Sequence, residues 1–226
     1  MITAWHNDHD LKAATVADLK RDHEKDHLVR GLFGELGIDS EYRGCQVGCL
    51  VMADMFRHGT LNEESVYNVA WHAEVESRFG VPRALAYLWD RTFEGVPSAA
   101  APVFAIASVD AVRVGADLSM VVSRVMLDVL ADPENGVWKF TAEGSRQRAA
   151  VEAVGGFYIR RLAGDEPTRD EWMSARSAAD DAYAAYAADA AADAAYARRT
   201  HFTWVGERII HHTLNAPTAV LAGSPE

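Results

Sequence analysis

Two cysteines, Cys45 and Cys49, each follow a glycine in the stretch GCQVGC. Their four-residue spacing predicts that both thiols lie on one face of a helix. A disulfide within a single helical turn would be strained, so we expect both thiols to be reduced, as in a reducing cytoplasm. If the helix begins near Tyr42, Cys45 lies in its first turn, where the helix dipole lowers the pKa of a thiol.

The two glycines of this stretch, Gly44 and Gly48, need an explanation, because glycine inside a helix costs up to about 1 kcal/mol relative to alanine. One explanation is close packing, in which a smooth face lies against another helix. The other is access, in which a ligand or metal reaches the thiols. The first alternative describes a structural cysteine pair, and the second describes a reactive or ligating one.

Another candidate group is His72 with Glu76, which are four residues apart on the same predicted helix. Such a pair suits a general base with its orienting acid, or two metal ligands. We interpret the pair as part of a site only if it faces Cys45 or Cys49 in the folded protein.

The carboxylates Asp90 and Glu94 also share a predicted helical face. They suit acid–base chemistry or a metal, and they equally suit ion pairs with Arg91 or Arg83 at a helix end. We therefore keep both residues as candidates beside Cys45, Cys49, His72 and Glu76.

The candidate metal ligands are His23 and His27, in the stretch DHEKDH. Histidines four residues apart on a helix can share a metal, and a neighbouring carboxylate can orient the imidazole. Charge-rich helices also carry such pairs on a solvated face, which is the alternative interpretation.

Several motifs are absent from the sequence: the phosphate loop GxxxxGK[ST], GxGxxG after a strand, HExxH, paired CxxC and GxSxG. The cofactor is therefore unknown. The 22 basic and 33 acidic residues give a net charge of −11, which argues against a bulk nucleic-acid surface. No stretch reaches 18 consecutive apolar residues and the N-terminus has no basic start before an apolar run, so we expect no membrane span and no signal peptide.

The elements that must position these residues are predicted to be helices, because the apolar spacing is helical almost throughout. The 226 residues, 49% of them hydrophobic, are enough for one ordinary domain. We predict an all-α fold, a multi-helix bundle with a long alanine-rich C-terminal helix. The helices are expected over 10–33, 42–56, 60–79, 82–93, 99–107, 117–130, 141–162 and 169–212. Capping boxes at Thr60–Glu63 and Thr168–Glu171 and a cap at Asp117 mark three of the starts.

The predicted domain organisation has a helical core domain over 1–164, the long alanine-rich helix over 165–214, and a flexible tail over 215–226. A helix over 169–212 would be about 65 Å long, so we expect either a protruding arm or a break near 200–203. The stretch 175–197 is mostly alanine, aspartate and tyrosine. It is a thin packed helix, a solvated arm, or an assembly surface anchored by Tyr183, Tyr186 and Tyr196.

Four motifs together resemble a family of bacterial and bacteriophage proteins of unassigned activity: GCQVGC, GVPRALAYLWDRTFEGVP, VGADL and the alanine-rich helix. The similarity covers about residues 20–130 and 170–200, and it implies an architecture and a site rather than a reaction. In that family a histidine follows the second cysteine closely, where Met52 stands here, and His72 with Glu76 matches a later His-x-x-x-Glu. An insertion near 56–69 brings in His58, which either replaces the missing histidine or leaves the site impaired.

Two functions follow as hypotheses. The first is an acidic helical protein, phage-encoded by the resemblance, that acts by protein–protein interaction: it binds a protein partner or associates with itself through the Ala/Tyr-rich helix. The alternative is a small hydrolase or transferase with a Cys/His/Glu site that also suits a metal. We expect a cytoplasmic protein in either case, in the host cytoplasm if it is phage-encoded.

Overall fold

The computed structural model describes residues 3–37, 41–67, 69–175 and 194–219. Within these residues the only sheet is a two-stranded hairpin, and the predicted all-α, multi-helix class is confirmed. A short 3-10 helix, Ala4–Asn7, precedes the first α-helix. The elements are α1 His9–Glu24, β1 Glu35–Leu36, β2 Tyr42–Arg43, α2 Gln46–Arg57, α3 Glu63–Tyr67, α4 Trp71–Phe79, α5 Arg83–Gly95, α6 Ala101–Asp110, α7 Val121–Ala131, α8 Arg146–Leu162 and α9 Ala194–Leu214.

Helix α2 forms the centre of the core, and every residue from Gln46 to Met55 is buried. Its sequence is apolar on nearly every face, so other elements must cover it on all sides to keep these side chains out of water. Helices α1, α4 and α5 pack directly against it. The site residues at the N-terminal end of α2 therefore lie where these helices meet.

Helix α1 ends nine residues earlier than predicted. Asp26 adopts a left-handed conformation with φ of 59°, and the His27 amide donates to the Asp22 carbonyl oxygen at 2.8 Å. These contacts close the helix, and the chain then forms a bridge between Leu28 and Gly44. The apolar residues that follow continue the helical spacing, but they belong to a loop across the start of α2, where they cover its buried N-terminal end.

The predicted start of α2 near Tyr42 is also wrong. Tyr42 pairs with Leu36 in the antiparallel hairpin, and the helix begins only at Gln46. The hairpin brings the chain back to the start of α2, so Cys45 lies just before the helix rather than inside its first turn.

The predicted helix over 60–79 consists of two helices, α3 and α4. Asn62 and Ser65, rather than Thr60 and Glu63, form the reciprocal cap, since each backbone amide donates to the other side chain at 2.9 Å. The Thr60 hydroxyl instead donates to the Met55 carbonyl oxygen at 3.2 Å.

Two later starts also differ from prediction. Helix α7 begins at Val121, and Asp117 accepts from the Ser119 amide at 3.0 Å in the turn before it. Helix α8 begins at Arg146, where the Ser145 side chain accepts from the Arg148 amide at 3.1 Å.

The capping box at Thr168 and Glu171 is confirmed, with the two reciprocal bonds at 2.7 and 3.2 Å. Helix α9 runs through 200–203, so the predicted break there is wrong. Residues 176–193, with Tyr183 and Tyr186, lie outside the described residues. Tyr196 lies within α9, and a single long alanine-rich helix stays a prediction.

The VGADL motif forms a loop that binds both ends of the described chain. The Gly115 amide donates to the Ala4 carbonyl oxygen at 3.0 Å, and the Ala219 amide donates to the Gly115 carbonyl oxygen at 2.8 Å. Gly115 has φ of +74°, a conformation that glycine adopts without steric cost. Residues 215–219 of the segment predicted as a tail are thus hydrogen-bonded to the body of the protein.

A buried carboxylate at the far end of α2 fixes the helix that carries His72. Asp54 accepts from Arg57 at 2.7 Å and from Arg78 of α4 at 2.6 Å. Arg57 also donates to Asp18 of α1 at 2.7 Å. Burial alone would raise the pKa of Asp54, but the hydrogen bonds from Arg78 and Arg57 outweigh it and hold the pKa below its ordinary value. These ion pairs therefore hold α1, α2 and α4 together at the C-terminal end of α2.

Candidate active site

A cleft of about 240 Å³ lies at the N-terminal end of α2, between the loop after α1 and helix α5. It holds three of the predicted site residues. Its lining consists of Gly31, Leu32, Phe33, Cys45, Asp90 and Glu94.

Gly44 and Gly48 allow the loop to cross directly over the start of α2. A Cβ atom at Gly48 would lie 1.5 Å from the Phe33 carbonyl oxygen, and one at Gly44 would lie 2.3 Å from it. The Cys45 amide donates to the Leu32 carbonyl oxygen at 2.6 Å. Both glycines thus serve close packing, against the backbone of a loop instead of a second helix. The same packing forms one wall of the cleft.

Cys45 occupies the N-cap position of α2 and is only 1% exposed. Its Sγ lies 3.8 Å from the Phe33 carbonyl oxygen. Burial raises the pKa of the Cys45 thiol far above its ordinary value, and the Asp90 carboxylate raises it further. The amides of Gly48 and Val47 oppose this shift without overcoming it. The expectation of a thiol pKa lowered by the helix dipole is therefore wrong, because desolvation dominates.

Asp90 lines the cleft together with Cys45 and lies beside His72. The Asp90 Oδ2 atom lies 3.5 Å from His72 Nε2, and both residues are 8% exposed. His72 Nε2 has no hydrogen-bond partner among the described residues. Burial lowers the pKa of His72, although Asp90 opposes this effect, so the imidazole is neutral at pH 7. The thiol, the carboxylate and the imidazole form one continuous polar cluster in a buried setting.

Two aromatic rings, one of which lines the cleft, contact His72. The Tyr87 ring stacks on the imidazole with centroids 3.7 Å apart, and the Phe33 ring meets it edge-on at 5.7 Å. Tyr87 is 51% exposed and Phe33 46% exposed. Neither Tyr87 nor Phe33 was predicted as a site residue. The only feature of the sequence that pointed to them was an aromatic side chain in the neighbourhood of a candidate motif.

Glu94 of α5 fixes the same loop from the other side of the cleft. Its carboxylate accepts from the Gly31 amide at 2.9 and 3.0 Å. The Arg30 guanidinium lies 3.9 Å from the same carboxylate and donates to the Glu94 carbonyl oxygen. Glu94 thus lines the cleft and also holds its backbone wall in place.

Glu76 is not the carboxylate that orients His72. It accepts from the Arg83 amide at 3.3 Å at the start of α5, and Asp90 takes the place beside the imidazole. Met52 is fully buried. His58 accompanies Asp54 at the C-terminal end of α2, opposite to Cys45, so it does not replace a missing histidine at this cleft.

Cys49 lies one turn below Cys45 but in a separate environment. It is fully buried, with Sγ 3.4 Å from the Gly44 carbonyl oxygen and 3.5 Å from that of His27. Burial raises the pKa of this thiol well above its ordinary value. Cys49 is not part of the cleft lining.

His23 and His27 do not share a helical face, because α1 ends at Glu24. His23 is exposed, whereas His27 is buried with Nδ1 3.7 Å from the Asp22 carboxylate. Within the described ranges, no three histidine, cysteine, aspartate or glutamate side chains are grouped to hold a metal ion. The geometric basis for a shared metal is thus lost.

No protein-family model, curated protein or solved structure matches this chain. None of the described helices is both long enough and apolar enough to cross a bilayer. The functional interpretation therefore depends on the geometry of the cleft.

Proposed function

We propose that this protein is a small hydrolase or transferase that uses the Cys45 thiol as its nucleophile. The observation that supports this proposal is that Cys45 and Asp90 line one cleft and that His72, from a third element, lies beside Asp90. A nucleophile, a proton acceptor in the same cleft and a third polar group form the general pattern of activated nucleophiles.

The raised pKa means that the thiol is protonated at rest, so its proton must leave as the sulfur attacks. With an ester or thioester substrate, Sγ forms a bond to the acyl carbon while Asp90 accepts the thiol proton. The bond to the leaving group then breaks, and Asp90 returns the proton to that group. Water, or the hydroxyl or amine of an acceptor, next releases the acyl group and regenerates the thiol. His72 acts as a positioning residue in this scheme, since it lies beside Asp90 Oδ2.

Acylation by p-nitrophenyl acetate tests the proposal. We expect a burst of nitrophenolate that matches one acetyl adduct on Cys45, seen by peptide mass spectrometry. Cys45→Ala should lose the burst, and Asp90→Asn should slow it by about 100-fold, the lower range for loss of a general base. Cys49→Ala is the matched control, because this thiol lies outside the cleft, and it should keep the burst. Folding of each variant is checked by circular dichroism.

An absence of adduct on Cys45 at every pH that the fold tolerates would overturn the proposal. Equal labelling of Cys45 and Cys49 would do the same, because it would indicate modification of an opened chain.

A second proposal is a protein–protein interaction role. It is supported by the tyrosines within the alanine-rich stretch, Tyr183, Tyr186 and Tyr196, because tyrosine is enriched at protein interfaces, and by the acidic net charge. The proposed contact is the Ala/Tyr-rich helix, with a partner protein or a second copy. Light scattering should show a mass above the monomer that falls when Tyr183 and Tyr186 are replaced by alanine. A strict monomer before and after the change would exclude self-association through these residues. The cytoplasm, that of the host if the chain is phage-encoded, is the proposed location, because a reduced thiol persists there.

A further inference from the structure

We infer that the cleft accepts substrates whose acyl part carries a positively charged amino or guanidino group. The inference rests on the proposed function and specifies its substrate class. It follows from the charge, the aromatic rim and the size of the cleft.

The charged side chains that line the cleft are two carboxylates, Asp90 and Glu94, and no basic side chain is among its described lining. Asp90 interacts with the thiol and His72, so Glu94 is the carboxylate left to meet a ligand. A carboxylate offers about four acceptor positions, and the Gly31 amide occupies part of that capacity. The remaining capacity suits a hydrogen-bond donor with positive charge.

Two cations near the cleft offset part of this charge but leave acceptor positions on the Glu94 carboxylate open. The Arg30 guanidinium is directed to main-chain and hydroxyl acceptors: it donates to the Glu94 carbonyl oxygen and, at 3.1 Å, to the Ser98 hydroxyl. At 3.9 Å from the Glu94 carboxylate it forms an ion pair without a hydrogen bond, so it takes up no acceptor position there. The charge of Arg83 contributes to the lowered pKa of the His72 imidazole. Since His72 is neutral, it adds no positive charge to the site.

The aromatic rim favours the same class of ligand. Phe33 lines the cleft, Tyr87 lies beside it across His72, and each ring is about half exposed. Organic cations are attracted to the faces of aromatic rings, and anions are not. Carboxylate and aromatic groups together are the side chains that recognise ammonium and guanidinium groups.

The size of the cleft limits the ligand to a short chain. Its volume of about 240 Å³ is below the range of about 300–1,000 Å³ for sites that hold drug-sized molecules. A linear acyl chain with a terminal cation fits this limit, whereas a bulky ring system does not.

Three p-nitrophenyl esters of similar length test the inference: the 6-aminohexanoate, the hexanoate and the half-ester of adipate, which are cationic, neutral and anionic. We expect kcat/KM for acylation of Cys45 to be about tenfold higher for the cationic than for the neutral ester, with the anionic ester slowest. Glu94→Gln should bring the cationic-to-neutral ratio to about one. Glu143→Gln removes the same charge at an exposed position outside the cleft lining, and it should leave the ratio unchanged.

The outcomes separate the substrate class from the proposed function. If Cys45 is acylated equally fast by the cationic and neutral esters, the substrate class is wrong and the thiol chemistry stands. If no ester acylates Cys45, the thiol chemistry is wrong, and calorimetry with pentylamine and pentanol decides the rest. Amine binding that Glu94→Gln weakens would still support a cation site, and equal or absent binding of the two probes would overturn it.

Discussion

Replacing Gly48 with alanine is expected to destabilise the protein by about 4 kcal/mol, at the upper end of single-substitution effects. The new Cβ atom would lie 1.5 Å from the Phe33 carbonyl oxygen. Because this neighbour is backbone, no side-chain rotation relieves the overlap, and the loop must move away from α2. That movement would also break the bond between the Cys45 amide and the Leu32 carbonyl oxygen and open the cleft.

Urea unfolding measures this effect, and Gly156→Ala is the matched control. Gly156 lies inside helix α8, and a Cβ atom there would meet nothing within 4 Å. Alanine should stabilise that helix by about 0.5–1 kcal/mol through its better helix propensity. Opposite signs for the two glycine-to-alanine changes are therefore expected. A small stabilisation in Gly48→Ala would show that the loop does not lie against α2 as described.

Asp22→Asn is expected to make the protein less sensitive to pH. Asp22 is 1% exposed and accepts from the Tyr42 hydroxyl at 3.1 Å. Burial raises the pKa of this carboxyl from 3.8 to about 6, although the Tyr42 hydrogen bond, Arg21 and His27 oppose the shift. Between these two values the folded state binds a proton that the unfolded state has released. Stability therefore falls as the pH rises from about 4 to about 6, and it levels off above that range.

The size of this loss in the wild type is about 3 kcal/mol, as an upper estimate from the shift in pKa. Asparagine has no proton to release, and its amide oxygen still accepts from Tyr42. The difference in unfolding free energy between variant and wild type should thus move in favour of the variant by up to about 3 kcal/mol between pH 4 and pH 8. Tyr42→Phe removes a hydrogen bond that lowers the pKa of Asp22, so it should move the midpoint of the wild-type loss to higher pH. A constant difference across this pH range would contradict the buried, protonated carboxyl.

In the segment 25–37, the local sequence pattern and the tertiary structure disagree. Its apolar residues Leu28, Val29 and Leu32 continue the spacing of α1, so local pattern alone favours a longer helix. Asp26 in a left-handed conformation ends that helix, and this conformation is uncommon for a residue other than glycine. The segment gains more by covering the buried start of α2 than by adding helical turns, a tertiary preference that local propensity does not contain.

The sequence predicted several residues of the candidate site, but it did not predict which of them contact each other. Cys45, His72, Asp90 and Glu94 were singled out by residue type and spacing, and they meet at or beside the cleft. The partner of His72 is Asp90 from another helix, whereas Glu76 lies four residues away on the same helix. Spacing along one helix identifies neighbours within that helix, and contacts between helices depend on how they pack.

From its amino acids alone, this chain specified an all-α, multi-helix body and two glycines that called for either close packing or access to the thiols. Apolar periodicity, capping residues and the lack of a side chain are local properties, so they are visible in a linear sequence. Tertiary packing decided the rest: the loop that crosses α2, the aromatic rim, and the direction of the thiol pKa. Those features arise because segments distant in the sequence exclude water from the site. Burial by the loop raises the pKa of the Cys45 thiol, and this effect outweighs the lowering expected from the helix dipole.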